Sequence, residues 1–268
     1  MSYYQGKRVL ITGAGSGIGA LMAEQLGRRG AEVIVTARRR KPAEDVARRV
    51  QAAGGRGHAR LLDVSDLDSI APFRDQLHAE IGEIDILVNN AGVVFGGEFE
   101  QVALSEHLNT LQINTLGLIA MSHAFMDDLR NAPQGHLVNI ASASAYIGLP
   151  FGSTYAASKW AVLGFSESLR LELKERGINN VSVTTVCPSY ISTGMFDGVR
   201  NPILSPMLTP EKVVKSILRG VKHRQALVVE PPLVRGIDLL KGALPGPIWD
   251  EVAKRSGIST SMRHWQGK

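Results

Sequence analysis

The chain has 268 residues, of which 44% are hydrophobic and 21% charged, with a formal net charge of +5. Those proportions exclude wholesale disorder, and the length suits one large α/β domain that buries its core without staples. A lone cysteine, Cys187, excludes an internal disulfide and argues against a cysteine zinc site; the seven histidines show no HxxxH or HExxH spacing, so no metal site is expected.

No apolar run approaches the ~18 residues of a membrane span. The opening MSYYQGKRVLITG has no signal-peptide core, so a cytoplasmic location is expected. From Arg200 onward there are twelve Lys/Arg against five Asp/Glu, which leaves the rest slightly acidic. A basic third suits an anionic cofactor, a membrane surface or nucleic acid, or is an ordinary solvated surface. It carries no nucleic-acid motif, so no nucleic-acid partner is expected.

Short Val/Ile/Leu-rich runs alternate with helical patterns. The runs are Arg8–Ile11, Glu32–Thr36, His58–Leu62, Ile84–Val88, His136–Ile140, Val181–Val186 and Ala226–Val229. Helices are expected at about 17–29, 43–53, 67–81, 104–130, 154–176 and 210–222. Ser65 or Asp66 suits the cap of the third, and Thr209-Pro210-Glu211 the start of the last. Strands apolar on both sides with helices between them predict an α/β fold: a doubly wound, Rossmann-type parallel sheet of seven strands with helices on both faces. No linker or repeat divides residues 1–268. The segment at about 189–209, with Met195, Phe196, Ile203, Leu204, Met207 and Leu208 among glycines and prolines, reads as a connection with some helix that covers a site. A tail follows at about 231–268.

Thr12-Gly13-Ala14-Gly15-Ser16-Gly17-Ile18-Gly19 joins the first strand to the first helix. There, glycines let backbone N–H groups approach a pyrophosphate, which the helix N-terminus favours. At the end of the second strand, Ala37 stands where an acidic residue would accept from an NAD ribose, and Arg38 can hold the 2′-phosphate of NADP bidentately. NADP(H) is therefore favoured over NAD(H). Arg40 and Lys41 read as solvated. In Tyr155-Ala156-Ala157-Ser158-Lys159 the i, i+4 spacing puts phenol and ammonium on one helix face. A cation ~4 Å from a phenol would lower its pKa of ~10 by up to about three units.

These motifs, in this order, resemble the short-chain dehydrogenase/reductase family over nearly the whole chain. TGxxxGxG matches Thr12 to Gly19; NNAG matches Asn89-Asn90-Ala91-Gly92; YxxxK matches Tyr155 and Lys159; and PGxxxT appears as Pro188-Ser189-Tyr190-Ile191-Ser192-Thr193, with Ser189 replacing the glycine. The resemblance implies four catalytic residues: Asn114, Ser142, Tyr155 and Lys159. Tyr155 would be general acid or base, Lys159 would lower its pKa and bind the nicotinamide ribose, Ser142 would stabilise the substrate oxygen, and Asn114 would hold a relay water. Ser142 is preferred over Ser144 and Ser153 by its strand-end place and family spacing. Cofactor contacts implied are Gly13, Ser16, Gly17, Ile18, Gly19, Arg38, Asp63, Val64, Asn90, Ala91, Gly92, Tyr155, Lys159, Pro188, Ile191 and Thr193.

Apolar residues around these positions suit a lipophilic alcohol, ketone or aldehyde. The stretch Val234–Pro245 and the Ile191–Phe196 segment look loosely like the retinol-dehydrogenase and 17β-hydroxysteroid-dehydrogenase branch, from which Ala37-Arg38 departs. The tail would cap the pocket, rest peripherally on a membrane or pack on a partner. The family implies a homodimer or homotetramer. An NAD(H)-dependent enzyme and a catalytically idle cofactor-binding sensor or scaffold are the alternatives. Cys187 reads as a buried strand-end thiol.

Overall fold

The computed structural model describes residues 2–203 and 205–266, so Leu204 of the covering segment and the end of the tail lie outside the described residues. Seven strands form one sheet: β1 (Arg8–Ile11), β2 (Glu32–Ala37), β3 (Arg56–Leu61), β4 (Ile86–Asn89), β5 (Gly135–Ile140), β6 (Val181–Pro188) and β7 (Leu227–Glu230). All pairings are parallel, in the order β3-β2-β1-β4-β5-β6-β7. The expected doubly wound α/β sheet is what the chain forms.

The strand period of two explains why these runs are apolar throughout. On one face, Val9, Ile11, Val33, Val35, Ile86 and Val88 pack with residues of α1 (Gly17–Gly27), α2 (Arg40–Ala52) and α8 (Pro210–Lys222). On the other, Leu10, Ile34, Leu87, Leu137 and Val183 meet α3 (Ile70–Glu80), α5 (Leu118–Ala124), α6 (Met126–Asn131) and α7 (Ser153–Glu175). The chain winds outward from β1 in one direction and from β4 in the other. A crevice therefore opens beyond the carboxyl ends of β1 and β4.

Several local expectations are corrected. Residues 104–130 are not one helix: α4 (Leu104–Leu111) passes through a π-turn at Gln112–Gly117 into α5 and then α6. The cause is local. Asn114 bonds outward to Val93 and Ser158, and Gly117 lies so close to the backbone of Val64 that an added Cβ would fall 2.4 Å from its carbonyl oxygen. Asp66 precedes the short 3₁₀ turn Leu67–Ser69 that leads into α3, but its side chain makes no cap bond. Thr209 does cap α8, accepting from the Lys212 amide, with Pro210 and Glu211 in the first turn.

The segment 189–208 holds no helix among its described residues. Its base is closed by a parallel bridge between Ile191 and Leu208. The tail, in contrast, is helical: a 3₁₀ turn at Pro232–Gly236, α9 (Ile237–Ala243), α10 (Gly246–Arg255) and a further 3₁₀ turn at Ile258–Thr260. Among the described residues no helix is long and apolar enough to cross a membrane.

Candidate active site

A cleft of about 760 Å³ lies over the carboxyl ends of the central strands. Its floor at one end is the turn after β1. Thr12 ties this turn to the turn after β4: its hydroxyl oxygen accepts from the amides of Asn90 and Ala91, each at 3.0 Å. Asn90 returns the bond, its Nδ2 donating to the Thr12 carbonyl at 2.9 Å. The approach is close enough that Gly13, at φ +62°, has no room for a Cβ, which would sit 2.8 Å from the Ala91 Cα. Neighbouring Ser16 leads α1 without capping it by its side chain. Ser16, Gly17 and Ile18 line the cleft, so the uncapped helix N-terminus is presented to it.

Thr193 faces that loop from the segment after β6: a Cβ added to Gly17 would point at its side chain from 3.8 Å. Arg38 and Arg39 line the cleft at the end of β2, and among the described residues neither makes an ion pair. Asp63 and Val64 line it after β3, with Asp63 Oδ1 accepting from the Ser65 amide and hydroxyl at 3.0 and 2.6 Å. Ala91, Gly92, Pro188 and Ile191 complete this wall. An open helix N-terminus, a carboxylate and a free pair of guanidinium groups along one cleft fit an elongated dinucleotide with several phosphates.

Ser142, Tyr155 and Lys159 converge on the same cleft. Ser142 leaves β5 extended and accepts from the Ser144 amide at 3.2 Å, which fixes its hydroxyl. Tyr155 and Lys159 come from the first turns of α7, and both are buried. Lys159 Nζ donates to the Ile140 carbonyl at 2.9 Å. It stands 5.7 Å from the Tyr155 ring centroid. The expected lowering of the tyrosine pKa is not found in this arrangement. Burial pushes the Tyr155 hydroxyl well above the ordinary phenol range, and the Ser142 hydroxyl only partly opposes it. Burial likewise lowers Lys159 to about 8.

Asn114 and Gly19 do not line the cleft. The Asn114 side chain makes three bonds: Oδ1 accepts from the Val93 amide at 2.8 Å, and Nδ2 donates to the Val93 carbonyl at 2.9 Å and to Ser158 Oγ at 3.0 Å. The amide group therefore clamps the strand-end segment to α7. Gly19 stands behind the loop, where an added Cβ would meet Asn90 Nδ2. Cys187 is buried beneath Ser142, and burial pushes its thiol up to about 11 even with Tyr146, the Ser142 backbone and Lys159 opposing. An inert thiol follows.

The other end of the cleft was not readable from motifs. Val234, Ile237, Trp249, Val252 and Ile258 of the tail line it, so the tail caps this pocket. Lys241 holds α9 in place, donating to the Tyr146 carbonyl at 3.3 Å and lying 4.6 Å over the Trp160 ring. The apolar, basic-punctuated composition of 234–245 was the available signal. Arg39 was also missed; it shares the free, cleft-lining character of Arg38.

Comparison with known proteins agrees with this geometry. Residues 7–203 match the family model described as short chain dehydrogenase. The mouse protein named epidermal retinol dehydrogenase 2 is 37% identical over 244 residues, covering 90% of this chain and 79% of its own. A short-chain dehydrogenase from Sphingobium yanoikuyae, solved in complex with NADPH, is 30% identical with a TM-score of 0.77, covering 91% of this chain and 96% of its own. A short-chain dehydrogenase/reductase from Burkholderia phymatum, solved with NAD, is 22% identical with a TM-score of 0.82, covering 97% and 98% respectively, and shows the shared fold. With the glycine turn, the NNAG segment and the Ser142, Tyr155 and Lys159 cluster on one cleft, this chain belongs to the short-chain dehydrogenase family and is an oxidoreductase of the alcohol dehydrogenase type that acts with a nicotinamide cofactor.

Proposed function

We propose that this protein is an NADP(H)-dependent oxidoreductase interconverting a lipophilic alcohol and its ketone or aldehyde, with Tyr155 as the proton-transferring group. The observation that carries this reading is the convergence of Ser142, Tyr155 and Lys159 on a cleft whose one end is a glycine turn and whose other end is apolar. The nicotinamide supplies or accepts the hydride when bound. Arg38 and Arg39 would hold the 2′-phosphate, the α1 N-terminus the pyrophosphate, and Asp63, Val64 and the Asn90–Gly92 turn the adenosine side. Pro188, Ile191 and Thr193 would meet the nicotinamide end.

The chain's own chemistry concerns the proton. Burial keeps the Tyr155 phenol protonated, the state a proton donor to a carbonyl oxygen needs. Ser142 donates to the same oxygen and stabilises charge developing there. Lys159, charged below about pH 8, favours the phenolate left after transfer. Asn114 acts as a positioning residue, holding the Val93 segment against α7.

Tyr155→Phe tests the reading: it should leave NADPH binding intact and lower turnover of carbonyl substrates by about 10³. Unchanged turnover would exclude Tyr155 as the acid. A homo-oligomer formed through the α4 and α7 faces belongs to the same proposal, since Leu104 and Leu108 stand 71% and 58% exposed on α4 and Leu171 is exposed on α7.

A further inference from the structure

Phe196 lies edge-on to the Tyr155 ring, with centroids 5.9 Å apart, and Tyr190 also packs edge-on against it at 5.2 Å. What holds Phe196 there is remote in sequence. The carbonyls on both sides of it are pinned: Met195 O accepts from Trp265 Nε1 at 3.0 Å, and Asp197 O accepts from the Gln266 amide at 2.8 Å. Tyr190 is pinned in turn, donating from its hydroxyl to Ser261 Oγ at 2.8 Å, while the Ser261 carbonyl accepts from the Arg200 amide at 3.0 Å. Met262, fully buried, fills the space between these groups.

We propose that residues 261–266 form a strap that seats Phe196 over Tyr155, and that Trp265 thereby positions the residue deciding which substrates reach the phenol. This rests on Tyr155 being the acid/base group of the proposed function. The physical reason is that the segment around Phe196 has no regular secondary structure of its own among the described residues. Its placement depends on those borrowed hydrogen bonds. With Phe196 seated, a carbonyl compound must reach Tyr155 past an aromatic edge, so bulky groups on the carbonyl carbon are disfavoured. Releasing the strap frees Phe196 and relaxes that selection.

Trp265→Phe removes the indole donor and keeps an aromatic ring in place. Phe196→Ala removes the screen itself. Amide hydrogen exchange over residues 193–200 should accelerate about tenfold in Trp265→Phe, with NADPH affinity unchanged. With acetophenone and benzophenone as a matched pair, the wild type should favour the smaller ketone. Both variants should narrow the ratio of their kcat/KM values by about tenfold. The double variant should match Phe196→Ala alone, because Trp265 acts through Phe196. Exchange and selectivity unchanged in Trp265→Phe, or effects that multiply independently in the double variant, would overturn the proposal. Should the wild type reduce neither ketone, the proposed function fails, and the exchange measurement still decides whether the strap holds the segment.

Discussion

Lys159 sits where a charged amine is costly: it is buried, its one hydrogen bond goes to a backbone carbonyl, and its pKa falls to about 8. The consequence for stability has a definite sign. Between about pH 8 and the unfolded lysine value near 10.5 the unfolded chain binds more protons, so this group makes stability rise with pH, by at most about 1.4 kcal/mol per unit. Cys187 above about pH 9 and Tyr155 above about pH 10, both raised by burial, act oppositely. Urea unfolding at pH 8 and 9 should therefore show increasing stability in the wild type, and Lys159→Met should flatten it. Arg38 bears on a different choice. Arg38→Asp should weaken NADPH binding about 10- to 100-fold and leave NADH binding equal or stronger, as read by nicotinamide fluorescence. Chemistry-bearing residues were readable one by one in the sequence because each motif has a fixed spacing. The state of the tyrosine was not, since it depends on how deeply α7 is buried and on which way the lysine turns.

At the scale of elements, the glycine turn and NNAG were readable because each lies at a strand end, where a parallel sheet delivers side chains to one edge, and the start of α7 by the i, i+4 spacing of Tyr155 and Lys159. The break in the 104–130 helix was not, because its causes are contacts distant in sequence: Asn114 reaching Ser158 and Gly117 abutting Val64. That close approach predicts a sensitive position. Gly117→Ala should destabilise the protein by about 1–3 kcal/mol, seen as a lower urea midpoint with an unchanged slope. The helical tail escaped notice for a related reason. Glycines and prolines interrupt its helical pattern in the sequence, yet Pro232 and Pro247 lie in first turns, where a missing N–H costs nothing.

For the whole molecule, the doubly wound sheet leaves one crevice that serves two purposes. Its β1–β2 side is polar and glycine-lined, and its β6–β7 side is walled by α9, α10 and the 189–208 segment. The doubly wound parallel sheet followed from the alternation of apolar runs and helices; the choice of the cap among the three places open to the tail did not, because nothing local says that 234–258 folds back over the strand ends. The exposed α4 leucines make a molecular-scale prediction. The wild type should sediment as a dimer or tetramer, and a Leu104→Glu, Leu108→Glu variant should shift towards monomer while staying folded. The most direct test of the dinucleotide site is titration of the purified protein with NADPH and NADH, followed by nicotinamide fluorescence. Saturable NADPH binding at least about tenfold tighter than NADH binding is expected from the free Arg38 and Arg39 pair. Equal or tighter NADH binding would contradict the 2′-phosphate assignment, and binding of neither by folded protein would contradict the enzyme reading itself.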